Sequence, residues 1–559
     1  MRSTIAFVGA GPTTLYTLAA FLETGGRDVD ITVFESEPTA GPGSPYRSGW
    51  NDPVLLANIA SIEIPPVTET LSAWLRRQDA ETLVTFGLRA DTIDDRGIYP
   101  RVVLGRFLAD QLVALVGKAA GQGVSITVRS RCRVADVSAD PAGMRLSIVD
   151  DGRPAVDLVF DQVVLATGHQ WPAGIRPRDG YHLTPWPSST LARIPAVPVG
   201  ILGSSLTAID AAVALAMAHG DFIEPDASGD DGGMQYRVRP GSEGLGLTMM
   251  SRRGLLPEAD VFSPLPPEPP VVMTPEALAE VAAGPVEGRL DRAFALFRRE
   301  MALSDPEYTR EVGLETATPE TFATAYFARR ADVDPFEWAA ENLAEARRNM
   351  AQGITIGWRY ALLRLHEVFA LIVPHLDAAQ FDRFNRSLKP VFVDSYGAVP
   401  HRSIARLLAL HRAGRLQVKA LGETYTIDRE TPLSGAIVQT GGERRHYPVF
   451  VEATGQRALS GLQFPFLSLL SQGLIRDEVE EGSGDSVRGI AIDDTFRPVS
   501  DHPAAHRLFC LGLPFIMGRH PFIQGITSSH RMGQVVGREL VQASQRRLDP
   551  SPRRTPEAA

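Results

Sequence analysis

The sequence predicts a mixed α/β chain built from two parallel-sheet halves and an all-helical insertion. Three observations predict it. Glycine-rich turns join a short apolar strand to a helix at Gly9–Thr13 and again at Gly203–Thr207. Further along, an apolar strand runs into Ala-Thr-Gly at residues 166–168 and again at 453–455. From about Thr274 to Leu388 the pattern turns helical, with apolar residues three and four apart in WRYALLRLHEVFALIV.

The first half begins at once. Thr4–Val8 reads as a buried strand, Thr13–Leu22 as a helix, and Asp30–Phe34 as a second strand ending on Glu35. This β-α-β unit is what a dinucleotide-binding fingerprint requires. Gly9 permits the tight turn, Gly11 lets the backbone approach a pyrophosphate, and Pro12 and Thr13 open a helix whose N–H groups face the phosphates. Glu35 is placed to accept from the adenosine ribose. Thr14 replaces the third glycine. The loop GPGSPY puts Ser44 and Tyr46 where the chain passes beside the cofactor, and Thr167 and Gly168 end the strand QVVLATGH at the same place. Two-dinucleotide oxidoreductases carry FAD first, so this half is expected to bind FAD.

The second half repeats the grammar. Val199–Leu202 is a strand, and Gly203, Ser204, Ser205 and Thr207 open a helix that carries Asp210. The next strand, Leu245–Met250, runs into Arg252 and Arg253, which stand where an NAD site places its acidic ribose ligand. A guanidinium there matches the 2′-phosphate of NADP, so NADPH is expected. Thr454 and Gly455 belong to the second Ala-Thr-Gly copy. Residues 221–244 are polar and glycine-rich and read as an inserted hairpin or loop. Near the C-terminus, Leu508–Leu511 is a strand leading into Gly512. GRHPFIQGITSSHRMG then enters a helix near Thr527, with Gln524, Gly525 and Ile526 at its start. Such a helix end can face a reduced flavin ring.

The fold class is therefore α/β, with two Rossmann-like dinucleotide-binding domains of the glutathione-reductase type and an α-helical insertion. The expected division is 1–195 and 457–545 for the FAD domain and 196–273 and 389–456 for the NADP domain. The insertion takes 274–388, and 546–559 forms a disordered tail. A chain of 559 residues is too long for a single core. A net charge of −10 argues against a general nucleic-acid binder. Cys132 and Cys510 are the only cysteines, which excludes a Cys-x-x-Cys redox pair or a cysteine-rich zinc site and leaves no metal expected. No apolar run of membrane-spanning length and no signal peptide is evident, so a cytoplasmic protein without a membrane partner is expected. Oligomeric state stays open.

GAGPTTLYTL, GPGSPY, YPRVVLGRFL (with Arg106), ATGH, GSSLTAID, SRRGLLP and VEATGQ together resemble the bacterial FAD–NAD(P)-binding protein family. That family is related to the class B flavin monooxygenases, and the chain is similar to its nitrosuccinate synthase branch. HLTPWP, with His182 and Trp186, resembles the end of the Baeyer–Villiger fingerprint. Arg176 and Arg178 replace its Phe-x-Gly start, so class B kinship is implied without Baeyer–Villiger chemistry.

The resemblance implies an NADPH- and O2-dependent monooxygenase. It would oxygenate the nitrogen of a small amine or amino acid, L-aspartate first, through a C4a-hydroperoxyflavin. A pyridine-nucleotide oxidoreductase with a non-disulfide acceptor and a flavin-binding redox sensor are the competing readings. Asn58 and Gln524 are the candidate catalytic residues. Asn58, in an apolar setting, is read either as a donor to a flavin or nicotinamide edge or as a satisfied core asparagine. A dicarboxylic substrate needs cationic partners, and the candidates are Arg359, His401, Arg402, Arg519, His520 and Arg531.

Overall fold

The computed structural model describes residues 2–150, 154–172, 178–224, 233–478 and 488–548, with side chains through 545. The tail expected to be disordered falls outside the described residues, apart from the helix end at Leu548. Arg176 lies outside them too.

Two five-stranded parallel sheets organise the chain. The first has the strand order Leu508–Cys510, Gln162–Leu165, Ser3–Val8, Val29–Phe34 and Ser125–Arg129. Its central strands, Gln162–Leu165 and Ser3–Val8, are apolar and largely buried on both faces, as parallel sheets under helices require. The second has the order Leu416–Ala420, Gly246–Ser251, Pro198–Leu202, Val449–Glu452 and Tyr181–His182. The α/β class and the helical insertion stand as expected.

An antiparallel sheet of Cys132–Asp140, Gly143–Asp150 and Val156–Phe160 follows the edge strand of the first half. A second antiparallel trio, Tyr425–Asp428, Ala436–Thr440 and Glu443–Tyr447, precedes the last strand of the other half. The glycine-rich insertion is a hairpin in its described part, Gly220–Ile223 against Gln235–Val238.

Four helices of the helical segment start by one repeated device. Thr274, Asp305, Thr318 and Asp334 each precede a proline and accept an N–H from the first turn of the following helix. The oxygen satisfies an orphan donor, and proline gives up no hydrogen bond at the first position. The helices bury a phenylalanine core of Phe294, Phe297, Phe322, Phe369, Phe384 and Phe392. Helix continues through Leu388–Tyr396, across the expected boundary at 388.

The chain's two ends close the first half together. The final helix, Ile526–Leu548, lies along Pro12–Glu23. Methyl groups at Gly533 and Gly537 would come within 2.7 Å of Tyr16 and Ala20. Only glycine allows this approach.

A junction joins a segment of the first half to the second half. Ala259 pairs with Val399, and Asp260 N–H donates to the Val399 carbonyl (2.8 Å). Asn58 Nδ2 donates to the Ala398 carbonyl (2.9 Å), and Arg96 donates to the Ser263 carbonyl. Burial, with Glu63 nearby, pushes the Asp260 carboxyl up to about 7. Its folded value lies above the ordinary aspartate value of about 3.9. Its contribution to stability is thus fully present below about pH 4 and lost as pH rises through about 7. Asp260→Asn removes this titration. Melting curves should show the variant gaining on the parent by on the order of 2 kcal/mol between pH 5 and 8. A difference that stays flat with pH would refute this origin.

Candidate functional site

The first glycine turn opens onto a cavity of about 400 Å³. Its walls include Gly9, Gly11, Pro12, Thr13, Glu35, Ser44, Tyr46, Thr167, Gly168, Gln524, Gly525 and Ile526. Eleven of the residues expected to serve a cofactor are thus together with the catalytic candidate Gln524, although they come from distant parts of the chain.

Local chemistry explains the convergence. Gly9 has φ +99°, and a Cβ there would lie 2.3 Å from the Ala166 carbonyl oxygen. The turn therefore sits hard against the Ala-Thr-Gly strand end. Thr14, in place of the third glycine, donates its hydroxyl to the Gly9 carbonyl (2.6 Å) and ties the turn from within. The helix starting at Pro12 has no side-chain cap and no acidic residue in its first turn. Its N–H groups and positive end are left for an anion. Glu35 Oε2 accepts from Ala10 N–H (3.1 Å) and Oε1 from Glu37 N–H (2.9 Å). The Thr167 hydroxyl is buried on the wall and has no partner among the described residues. An uncapped helix end, an orphaned hydroxyl and a glycine floor fit a dinucleotide.

The second glycine turn repeats this contact. Gly203 has φ +131°, and a Cβ there would lie 2.4 Å from the Ala453 carbonyl oxygen. Ser205 precedes the Leu206–His219 helix without capping it through its side chain. Ser204 Oγ donates to Ser251 Oγ (2.9 Å), joining the turn to the end of the next strand. Thr207 packs near Gly455. Arg252 and Arg253 follow that strand and are exposed. Arg252 lies 3.7 Å from Glu423, and Arg253 stacks with Cζ 3.9 Å from the Phe327 ring centre. Thr454 accepts from Arg457.

The two Ala-Thr-Gly loops touch through Gln456. Its Oε1 accepts from Gln170 N–H (3.1 Å) and its Nε2 donates to the Gln170 carbonyl (2.6 Å). Both contacts fix the amide orientation, so His169 Nδ1, 3.2 Å from Oε1, must carry the proton. Burial lowers the His169 pKa and keeps the ring neutral.

Several expected residues stand elsewhere. Arg106 is exposed and pairs with Asp110, outside the cavity wall. Its neighbour Gly105 is the residue that matters in that motif, since a Cβ there would lie 2.0 Å from the Tyr46 carbonyl oxygen. Gly512 lies behind the wall, where a Cβ would approach Thr167 Oγ1 at 2.9 Å. Asn58 is engaged in the junction, with Oδ1 buried and unpartnered among the described residues.

None of the six substrate candidates lines the cavity, and they do not form one cluster. Arg359 is buried between Glu258 (2.9 Å) and Glu345 (2.8 Å). Two carboxylates already neutralise it, and breaking such a buried pair is costly. Arg402 pairs with Glu224 and, with His401, lines a separate open hollow; His401 Nε2 bonds the Asp260 carbonyl (2.8 Å). Arg519 pairs with Asp494 (2.7 Å) and Arg531 with Glu367 (2.8 Å). His520 packs on Phe496, its pKa pushed down to about 4 by burial and Arg519.

The cavity also presents residues the sequence reading missed, chiefly Arg47, Trp50, His169, Phe466 and Leu513. Arg47 directly follows the GPGSPY loop, and that adjacency was its one available signal. Gly11 has φ −82°, and a Cβ there would meet only Gly43 at 3.4 Å. Gly11→Ala should therefore fold normally yet lose flavin, with FAD affinity down roughly ten-fold or more by titration. Full flavin retention after dialysis would place the cofactor elsewhere.

Comparison with known proteins agrees with this geometry. Residues 6–170 match a family described as FAD-NAD(P)-binding, and residues 274–396 match the YdhS-like middle domain. The protein YdhS of Escherichia coli (strain K12) is 38% identical over 97% of this chain and 98% of its own length. Ornithine hydroxylase (PvdA) from Pseudomonas aeruginosa is 13% identical. It covers 97% of this chain and 99% of its own with a TM-score of 0.50, and its reduced form gives 0.51. That likeness is one of fold. The chain belongs to the YdhS family, whose middle domain it carries beside an FAD-NAD(P)-binding domain.

Proposed function

We propose that the protein is an FAD- and NADPH-dependent monooxygenase that oxygenates the amino nitrogen of a small amino acid, with L-aspartate as the specific substrate. One observation carries the reading. Two uncapped nucleotide turns belong to halves whose strand-end loops are bonded through Gln456, and the chain has no redox cysteine pair. Cys132 and Cys510 are both buried and unbridged, and burial raises the Cys510 thiol pKa. A dithiol relay is thereby unsupported, and this reading takes oxygen as the acceptor. The shared fold of a protein named for ornithine hydroxylation is consistent with this.

FAD held in this cavity would supply hydride acceptance and oxygen activation. The chain's own groups do the rest. Gly9 and Gly11 would bring backbone against a diphosphate, and the start of the Ile526–Leu548 helix would offer N–H groups to the ring. Neutral His169 holds its proton at Nδ1 against Gln456. Phe522, from the loop before Gln524, inserts among Phe384, Phe392 and Tyr396 of the helical core. This fastens the C-terminal loop to the helical segment.

Arg252 and Arg253 favour NADPH over NADH through the 2′-phosphate. Replacing both with Ala should erase a preference of about one to two decades in affinity. A parent that prefers NADH would exclude this. For the substrate, Asp494 is 84% exposed and can yield Arg519, which stands off the cavity wall, to the carboxylate of an entering substrate. L-Aspartate should stimulate NADPH oxidation with an oxygenated product by mass spectrometry, and Arg519→Met or Arg531→Met should lose that stimulation with flavin retained. Absence of any aspartate effect in the parent would reject the substrate assignment.

A further inference from the structure

The cofactor cavity contains a charged group that the glycine and acidic motifs do not explain. Arg47 is only 8% exposed and lines the cavity beside Glu35, Glu37 and Trp50. Its Nη2 is 3.4 Å from Glu35 Oε1 and its Nη1 is 3.6 Å from Glu37 Oε2. Both contacts are long for a guanidinium on a carboxylate. Cζ lies 5.6 Å from the Trp50 ring centre. Nε is buried and has no partner among the described residues. A buried N–H donor without a partner is costly, and this one faces the cavity.

Position gives this donor a purpose. Glu35 already accepts from Ala10 and Glu37 N–H, so Arg47 is not needed to satisfy it. Gly43 packs against Gly11, so the loop that carries Arg47 crosses directly over the phosphate-binding turn. Two carboxylates flank the place where that turn brings a diphosphate, and negative charge would accumulate there without a cation. Arg133 also lines the cavity but is exposed, so among the described wall residues Arg47 is the buried cation.

We propose that Arg47 holds the adenosine-side phosphate of FAD, donating through Nε while its Nη groups stay on Glu35 and Glu37. The assignment rests on FAD occupying this cavity, which Gly11→Ala tests separately. It adds a charge-assisted contact to the backbone N–H groups and makes the adenosine half a main source of affinity.

The test titrates flavin-stripped full-length protein with FAD and, in competition, with ADP. The parent, Arg47→Met, Arg47→Lys and the double variant Arg47→Met/Glu37→Gln are compared, with melting curves as the check on folding. Arg47→Met should weaken FAD and ADP by the same factor, about ten- to one-hundred-fold. Arg47→Lys should fall between, because it keeps the charge and loses the guanidinium Nε–H. The double variant should stay weak. Recovery of parental affinity in the double variant would show that Arg47 only neutralises Glu37 and would overturn the assignment. Weakened FAD with unchanged ADP would overturn it too. If Arg47→Met does not fold, Arg47→Lys decides, and unchanged FAD and ADP affinity in it refutes the contact. A parent that binds neither FAD nor ADP overturns the cofactor reading and this assignment with it.

Discussion

A glycine pressed against a carbonyl holds each half of this molecule together. Gly9 meets the Ala166 carbonyl and Gly203 meets the Ala453 carbonyl, with the same near-contact distance and a positive φ both times. The contact locks the strand-to-helix turn to the end of a parallel strand, and any side chain at either glycine would push the two apart. It leaves an uncapped helix start open beside that strand end. The cavity lined by Gly11, Thr13 and Thr167 exists because that approach is allowed. The repeat also explains why Ala-Thr-Gly occurs twice: a small residue must present its carbonyl where the turn arrives.

Closure of the first half depends on a second run of small residues. Gly533 and Gly537 let the final helix lie against the first, which brings Gln524, Gly525 and Ile526 onto the wall opposite Gly9. The helical segment then grips the same loop through Phe522. The cavity wall is therefore assembled from distant parts of the chain, and the helical segment is fastened to its C-terminal loop through Phe522.

Steric demands were legible in the sequence, and long-range charge pairing was not. Gly9, Gly11, Gly203 and both Ala-Thr-Gly ends follow local rules about turns and strand ends, so a single chain displays them. Arg359 looked available because Glu258, its partner, lies 101 residues away. Arg519, Arg531 and Arg402 were paired in the same hidden manner. Arg47 was passed over because its significance comes from the fold that sets it beside Glu35. The antiparallel strands from Cys132 to Phe160 were readable from the alternation in CRVADVSAD and GMRLSIVD about a glycine turn.

The central claim is that the two halves act as a pair, one holding flavin and the other delivering a hydride to it. Anaerobic mixing of the flavin-loaded protein with NADPH tests this most directly, followed at the flavin absorbance near 450 nm. The account predicts rapid bleaching of the flavin band, with the colour restored when oxygen is admitted. Flavin that stays oxidised in the presence of excess NADPH would contradict it.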